Sequence, residues 1–189
     1  HPDYSIELDQ HDYVRALEKV RICKARRKQI KDVLTPKELH DYRSLVGQLA
    51  WPARQTMPQL SYSVSGLQQK VSTSTVGDLI HANNVLARAK RMVEKGQTLK
   101  FLALPKDDEI GSAAVHDASF AGQRDLGSQQ GYCILLGSTK LYEGRTTCHL
   151  LDWGSSKIRR KLRSTLACEA ASACRAYDRA IFARMLIYE

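Results

Sequence analysis

Val115-His116-Asp117, Gly131-Tyr132-Cys133-Ile134-Leu135-Leu136 and the run from Thr146 to Trp153 decide how the second half of this 189-residue chain folds. The first closes a stretch, residues 110–117, that reads as a strand, and the other two read as strands of similar length. Short strands separated by turn residues at this spacing predict an antiparallel meander. A basic loop follows, with Lys157, Arg159, Arg160, Lys161 and Arg163. Thr165 can then cap a long helix on which Leu166, Ala170, Ala173, Tyr177, Ile181 and Met185 fall on one stripe. That stripe is expected to face the sheet.

Working back toward the start, the pattern becomes helical. Tyr4, Ile6 and Leu8 alternate with polar residues, as in a short half-buried strand. Tyr13, Val14, Leu17 and Val20 recur at helical spacing, with Asp9 or Asp12 as N-cap. Arg21 to Lys31 is densely basic and reads as a solvated connection. Thr35-Pro36-Lys37-Glu38 is a helix start with a capping box and proline at the first helical position. Leu39, Tyr42, Leu45, Val46 and Leu49 continue it, until Pro52 and Pro58 interrupt. Leu60, Val64, Leu67 and Val71 mark a second stretch. A third runs from about Val76 to Glu94 and closes at Gly96. Leu99 to Leu104 is apolar on both faces and reads as a buried strand. It ends at the turn Pro105-Lys106-Asp107-Asp108. The expected fold is α+β, with a mainly helical region 1–104 and a sheet-plus-helix region 105–189.

Twenty-nine Lys and Arg against 20 Asp and Glu give a net charge of +9, which favours polyanionic partners, nucleic acid first. Aromatic residues make up 7% and do not interleave with the basic runs, so a single-strand stacking platform is poorly supported. Cys23, Cys133, Cys148, Cys168 and Cys174 are odd in number, widely spaced and without C-x-x-C. That pattern argues against a disulfide framework or a zinc site and fits a reducing, intracellular compartment. No apolar run approaches the roughly 20 residues that span a bilayer, so no membrane partner is expected. His1-Pro2-Asp3-Tyr4 carries neither an initiator Met nor a signal-peptide core, and the chain is expected to be a piece of a longer, non-secreted protein. No P-loop and no G-x-S-x-G elbow is present.

The residues with chemistry to offer are Asp117, leaving the first strand of the meander, and Glu169, one turn into the last helix. A helix crossing the sheet brings both carboxylates together, and hard oxygen ligands of that kind suit Mg²⁺. The plain alternative is an exposed strand-end Asp and a helix-surface Glu. His116, next to Asp117, is expected on the opposite strand face, and Trp51 and Trp153 are expected as packing anchors. Lys157, Arg159, Arg160, Lys161 and Arg163 are either contacts to a phosphate backbone or a solvated loop. The run from Arg21 to Lys31 carries the same two readings.

Tyr42-Arg43-Ser44-Leu45-Val46-Gly47-Gln48-Leu49 followed by Thr56-Met57-Pro58-Gln59-Leu60-Ser61-Tyr62-Ser63-Val64 resembles the copia-type retrotransposon stretch YRSLIGSLLYL…TRPDISYAV. His81 through Phe101 is similar to its H…AKRVLRYLKGT…L segment, and Asp117-Ala118-Ser119-Phe120-Ala121-Gly122 to DADWAG. Gly131 to Gly137 resembles SGYVFLLG, Trp153 to Lys157 resembles WSSKKQ, and Ser164 to Glu169 stands at SSTEAEY with one extra residue. Ile6-Glu7-Leu8-Asp9-Gln10 with Tyr13 and Leu17 resembles the entry to the thumb. The matches come in the family's order and span nearly the whole chain. The resemblance implies reverse-transcriptase thumb and connection elements for 1–104, then a truncated ribonuclease H-like domain. It implies an RNA–DNA hybrid and the rest of the Pol polyprotein as partners, and Mg²⁺ or Mn²⁺ as cofactor on Asp117 and Glu169. The family's second Asp is Ser119 here, and TRPD is Thr56-Met57-Pro58-Gln59. Its Tyr-x-Asp-Asp motif would lie before His1 and a further strand-borne Asp beyond Glu189. Neither Asp152 nor Asp178 replaces that Asp by spacing. A chain with two of the carboxylates is expected to cleave hybrid feebly or not at all, and a non-catalytic nucleic-acid-binding or structural subunit is the alternative.

Overall fold

The computed structural model describes residues 4–104, 106, 108–122, 127–144 and 146–188. The protein is mixed α+β, about 50% helical, with one three-stranded antiparallel sheet. It divides into two compact units, Leu8–Leu99 and, with His1–Glu7, Lys100–Glu189. A two-stranded ribbon, β1 (Ile6–Leu8) and β2 (Leu99–Phe101), marks where the chain passes between them.

The helical unit holds α1 (His11–Ala16), α2 (Lys24–Arg27), α3 (Pro36–Gln55), α4 (Ser61–Gln69) and α5 (Val76–Glu94). Two capping boxes start its long helices. Thr35 Oγ1 accepts from the Glu38 amide while Glu38 accepts from the Thr35 amide, and Thr75 and Asp78 repeat the exchange on α5. Each such cap stabilises by about 1 kcal/mol. At the other end of α5, the Gly96 and Gln97 amides donate to Val93 and Met92. This is a Schellman closure, and it needs the left-handed φ of +65° that Gly96 adopts. The apolar stripes converge on one core in which Tyr42, Leu49, Leu60, Leu79 and Leu86 are fully buried.

Several expectations change here. α1 stops at Ala16, where Leu17 turns extended, and Val20 is instead held by a two-way amide pair with the side chain of Asn83. The N-cap of α1 is Gln10, without a side-chain cap, rather than Asp9 or Asp12, and Asp9 accepts from the His11 amide beside it. α3 does not end at Pro52 but runs through it to Gln55. Proline lacks the amide that would have served the Gln48 carbonyl, and the Tyr13 hydroxyl donates to that oxygen at 3.1 Å. The basic run 21–31 is not simply solvated. Arg26 forks onto both oxygens of Glu38 at 2.9 Å and also reaches Asp32 and the Val33 carbonyl. Trp51 is exposed rather than an anchor. Only Leu99–Phe101 of the 99–104 run is strand, and Leu102 is exposed. Pro105 and Asp107 of the expected turn lie outside the described residues.

In the second unit β3 (Ile110–Ser119), β4 (Gln129–Ser138) and β5 (Cys148–Lys157) form the meander in that order. Ala114 pairs with Ile134, His116 with Tyr132 and Asp117 with Gly131. A long helix, α6 (Thr165–Tyr188), packs across it. Its N-cap is Ser164, whose Oγ accepts from the Ala167 amide, not Thr165. The face that α6 turns to the sheet is Cys168, Ser172 and Ala176, all nearly fully buried, whereas Leu166, Tyr177, Ile181 and Met185 are exposed. The reason is close approach. Ser172 Oγ lies 3.0 Å from the Asp117 carbonyl, to which it donates, and 3.3 Å from that of Gly131. Small side chains permit that distance and large apolar ones forbid it.

Candidate nucleic-acid interface

Strand alternation assigns the sheet faces. Tyr132 stands among Asp152, Arg175 and Arg179, and Arg179 of α6 donates to Asp152 at 2.6 Å, so Tyr132, Ile134 and Asp152 lie on the helix side. His116, opposite Tyr132, shares that side. Its Nδ1 is 3.8 Å from Glu169 Oε2. Glu169 follows Cys168 by one residue, about 100° around the helix, so it sits on the flank of the buried stripe and reaches the edge of β3. Asp117 is one step further along an unbroken register and presents its exposed side chain to the other face. The structure therefore brings Glu169 to His116 rather than to Asp117. The sequence carried no signal for this, because the phase is fixed by the register that pairs Ala114 with Ile134.

Mg²⁺ prefers an all-oxygen shell, and a carboxylate beside an imidazole is a poor match to it. Among the described residues no group of three or more His, Cys, Asp or Glu is close enough to hold a metal ion. Asp152 is engaged by Arg179, whose guanidinium also lies 5.1 Å over the Phe182 ring, so its role is to tie α6 to β5. Burial, with Asp152 adding to it, pushes the Tyr132 hydroxyl above its usual pKa, and that group stays neutral.

The basic loop is held at both ends. Lys157 is the last residue of β5 and half-buried, and Ile158 behind it is buried, its amide donating to the Ser128 carbonyl at 2.8 Å. Cys168 Sγ, also buried, contacts Ser128 Oγ at 3.2 Å. Between these anchors and the Ser164 cap, Arg159, Arg160, Lys161 and Arg163 are exposed, and none makes an ion pair among the described residues. Four exposed cations within five residues concentrate positive charge on one short tether. Such a tether attracts phosphate without reading bases.

No protein-family model, curated protein or solved structure matches this chain.

Proposed function

We propose that the second unit binds the phosphate backbone of nucleic acid, with an RNA–DNA hybrid as the ligand, and that this chain does not cleave it unaided. The supporting observation is the tethered loop with Arg159, Arg160, Lys161 and Arg163 exposed and unpaired among the described residues. In this reading the meander and α6 are the ribonuclease H-like part of a copia-type Pol polyprotein, consistent with the motif order along the chain. Lys157 contributes at the margin, as the loop's partly buried base. Mg²⁺ or Mn²⁺ would belong to Glu169 and Asp117 only after a rearrangement that brings them to one face.

The test is fluorescence anisotropy with a labelled hybrid across a salt series. Binding should weaken steeply with salt, and changing Arg159, Arg160, Lys161 and Arg163 together to Gln should flatten the slope of log K against log salt by roughly 3, at somewhat under one per phosphate contact. Binding that ignores both salt and the substitutions would remove the proposal. Incubation of the same hybrid with Mg²⁺ or Mn²⁺ should leave it intact. Robust cleavage abolished by Asp117→Asn would instead establish a two-carboxylate metal centre.

A further inference from the structure

The helical unit carries a second basic feature, unrelated to either basic run in the loops. Arg88, Arg91 and Lys95 are spaced i, i+3 and i+7 and so share one exposed face of α5. With Gln59, Gln97 and the buried Met92 they line a shallow pocket of about 230 Å³. The pocket is built rather than incidental. The left-handed turn at Gly96 swings the chain back so that the Gln97 amide donates to Met92. His11 Nε2 lies 2.8 Å from the Gln97 carbonyl and holds this residue from α1. Gln59 comes from the short 3-10 turn Pro58–Leu60 that precedes α4. No acid lines the pocket, and none of the three cations makes an ion pair among the described residues, Glu94 on the same helix included. Like charges three and four residues apart on a helix repel one another, so the array costs the fold something that a bound anion would return.

We infer that this pocket is a phosphate-binding site that takes the backbone of a nucleic-acid duplex without regard to sequence. The lining chemistry selects that ligand. Guanidinium, ammonium and amide groups all donate to phosphate oxygens. None of the described lining residues is aromatic, so the pocket offers no platform on which an unpaired base would stack. The cations extend over roughly 10 Å of helix at 1.5 Å per residue, a linear array suited to successive phosphates rather than one compact anion. This inference does not rest on the hybrid-binding loop, since each lies in its own unit.

The experiment uses the full chain already carrying the four loop substitutions to Gln, so that the first proposal cannot supply the signal. A labelled duplex DNA should still bind in a salt-dependent way. Adding Arg88→Gln, Arg91→Gln and Lys95→Gln should lower the salt slope by roughly 2.7, at about 0.9 per phosphate contact. Between 50 and 200 mM salt the parent should then lose about 40-fold more affinity than the triple variant. Two duplexes of unrelated sequence should behave alike. An unchanged slope in a variant that retains its far-UV circular dichroism overturns the site. A fall in thermal stability with an unchanged slope would show that the cations serve only the C-terminal dipole of α5, and also overturns it. Calorimetric titration with inorganic phosphate should give no saturable binding in the low-millimolar range, and saturation there would replace a strand with a discrete anion as the ligand.

Discussion

The two units solve the problem of holding a chain together in opposite ways. In Leu8–Leu99 the apolar stripes of α3, α4 and α5 meet, and twenty apolar residues are buried in one cluster. In the sheet unit only Ile134, Ile158, Cys168 and Ala176 are buried apolar residues among those described. Its order comes from the two strand ladders and from a helix that sits close because its contact face is small. Cations divide by their neighbours rather than by unit, since Arg179 of α6 is tied to Asp152 while Arg88 of α5 is exposed without an ion pair among the described residues. Arg26 is tied to Glu38, Asp32 and a carbonyl, whereas Arg159 and its neighbours face solvent. The same residue type is structural where acids lie within reach and available where they do not.

The sharpest way to break this contrast is to cut one leucine from each unit. Leu86, fully buried on α5, should cost about 2–5 kcal/mol as Leu86→Ala, the sum of lost transfer energy and a cavity. Leu186 on α6, 63% exposed, should change stability by no more than about 0.5 kcal/mol as Leu186→Ala. Urea denaturation followed by circular dichroism measures both. Equal losses would mean that the apolar outer face of α6 is covered in solution and that the units differ less than their burial suggests.

A smaller effect, with a sign fixed by charge, separates the committed cation from the free ones. The side-chain hydrogen bond from Arg26 is the main cause that lowers the Glu38 carboxyl to about 2, below its usual value of 4.5. Because the folded value is the depressed one, the stabilisation is complete above about pH 4.5 and disappears as pH falls through 2. Glu38→Gln should therefore cost about 2 kcal/mol at pH 6 and little at pH 2.5, allowing for partial solvent screening of the pair. Thermal unfolding at the two pH values checks it. A cost independent of pH would show that the carboxylate charge is not what stabilises the fold at this position.

What could be read from the sequence followed from how local each signal was. The Thr35–Glu38 capping box, the Gly96 closure and the 3.6-residue stripes of α3 and α5 depend on residues within a turn or two of one another, and α3 begins where its box stands. The meander was legible for the same reason. The packing face of α6 was not. Periodicity identifies an apolar stripe but not the distance at which a helix will sit, and here the small residues Cys168, Ser172 and Ala176 fixed the contact while the larger stripe faced out. The candidate site turned on one step of strand phase, which put His116 rather than Asp117 beside Glu169. The cations Arg159, Arg160, Lys161 and Arg163 were visible as composition, but their exposure without ion pairs among the described residues was not. Nor was the commitment of Arg26, because Glu38 lies twelve residues away.

Pro52 tests whether the helical unit satisfies its own irregularities, as the sheet unit does not. There His149 Nε2 is buried without a hydrogen-bond partner among the described residues, and the Phe101 ring lies against the imidazole at 5.6 Å between centroids. In α3 the orphan carbonyl of Gln48 has found the Tyr13 hydroxyl. Tyr13→Phe should accordingly cost about 0.5–1.5 kcal/mol, the worth of one hydrogen bond. The decisive measurement is the double-mutant cycle with Pro52→Ala. That substitution restores an amide four residues after Gln48, so the helix can serve its own carbonyl and the hydroxyl becomes redundant. Tyr13→Phe should then cost only a few tenths of a kcal/mol in the Pro52→Ala background, giving a coupling close to the full single-mutant effect. Equal costs in both backgrounds would show that Tyr13 acts through the packing of its ring. The proline in α3 would then be tolerated because it falls in the last turn, where the helix is already giving up its ladder.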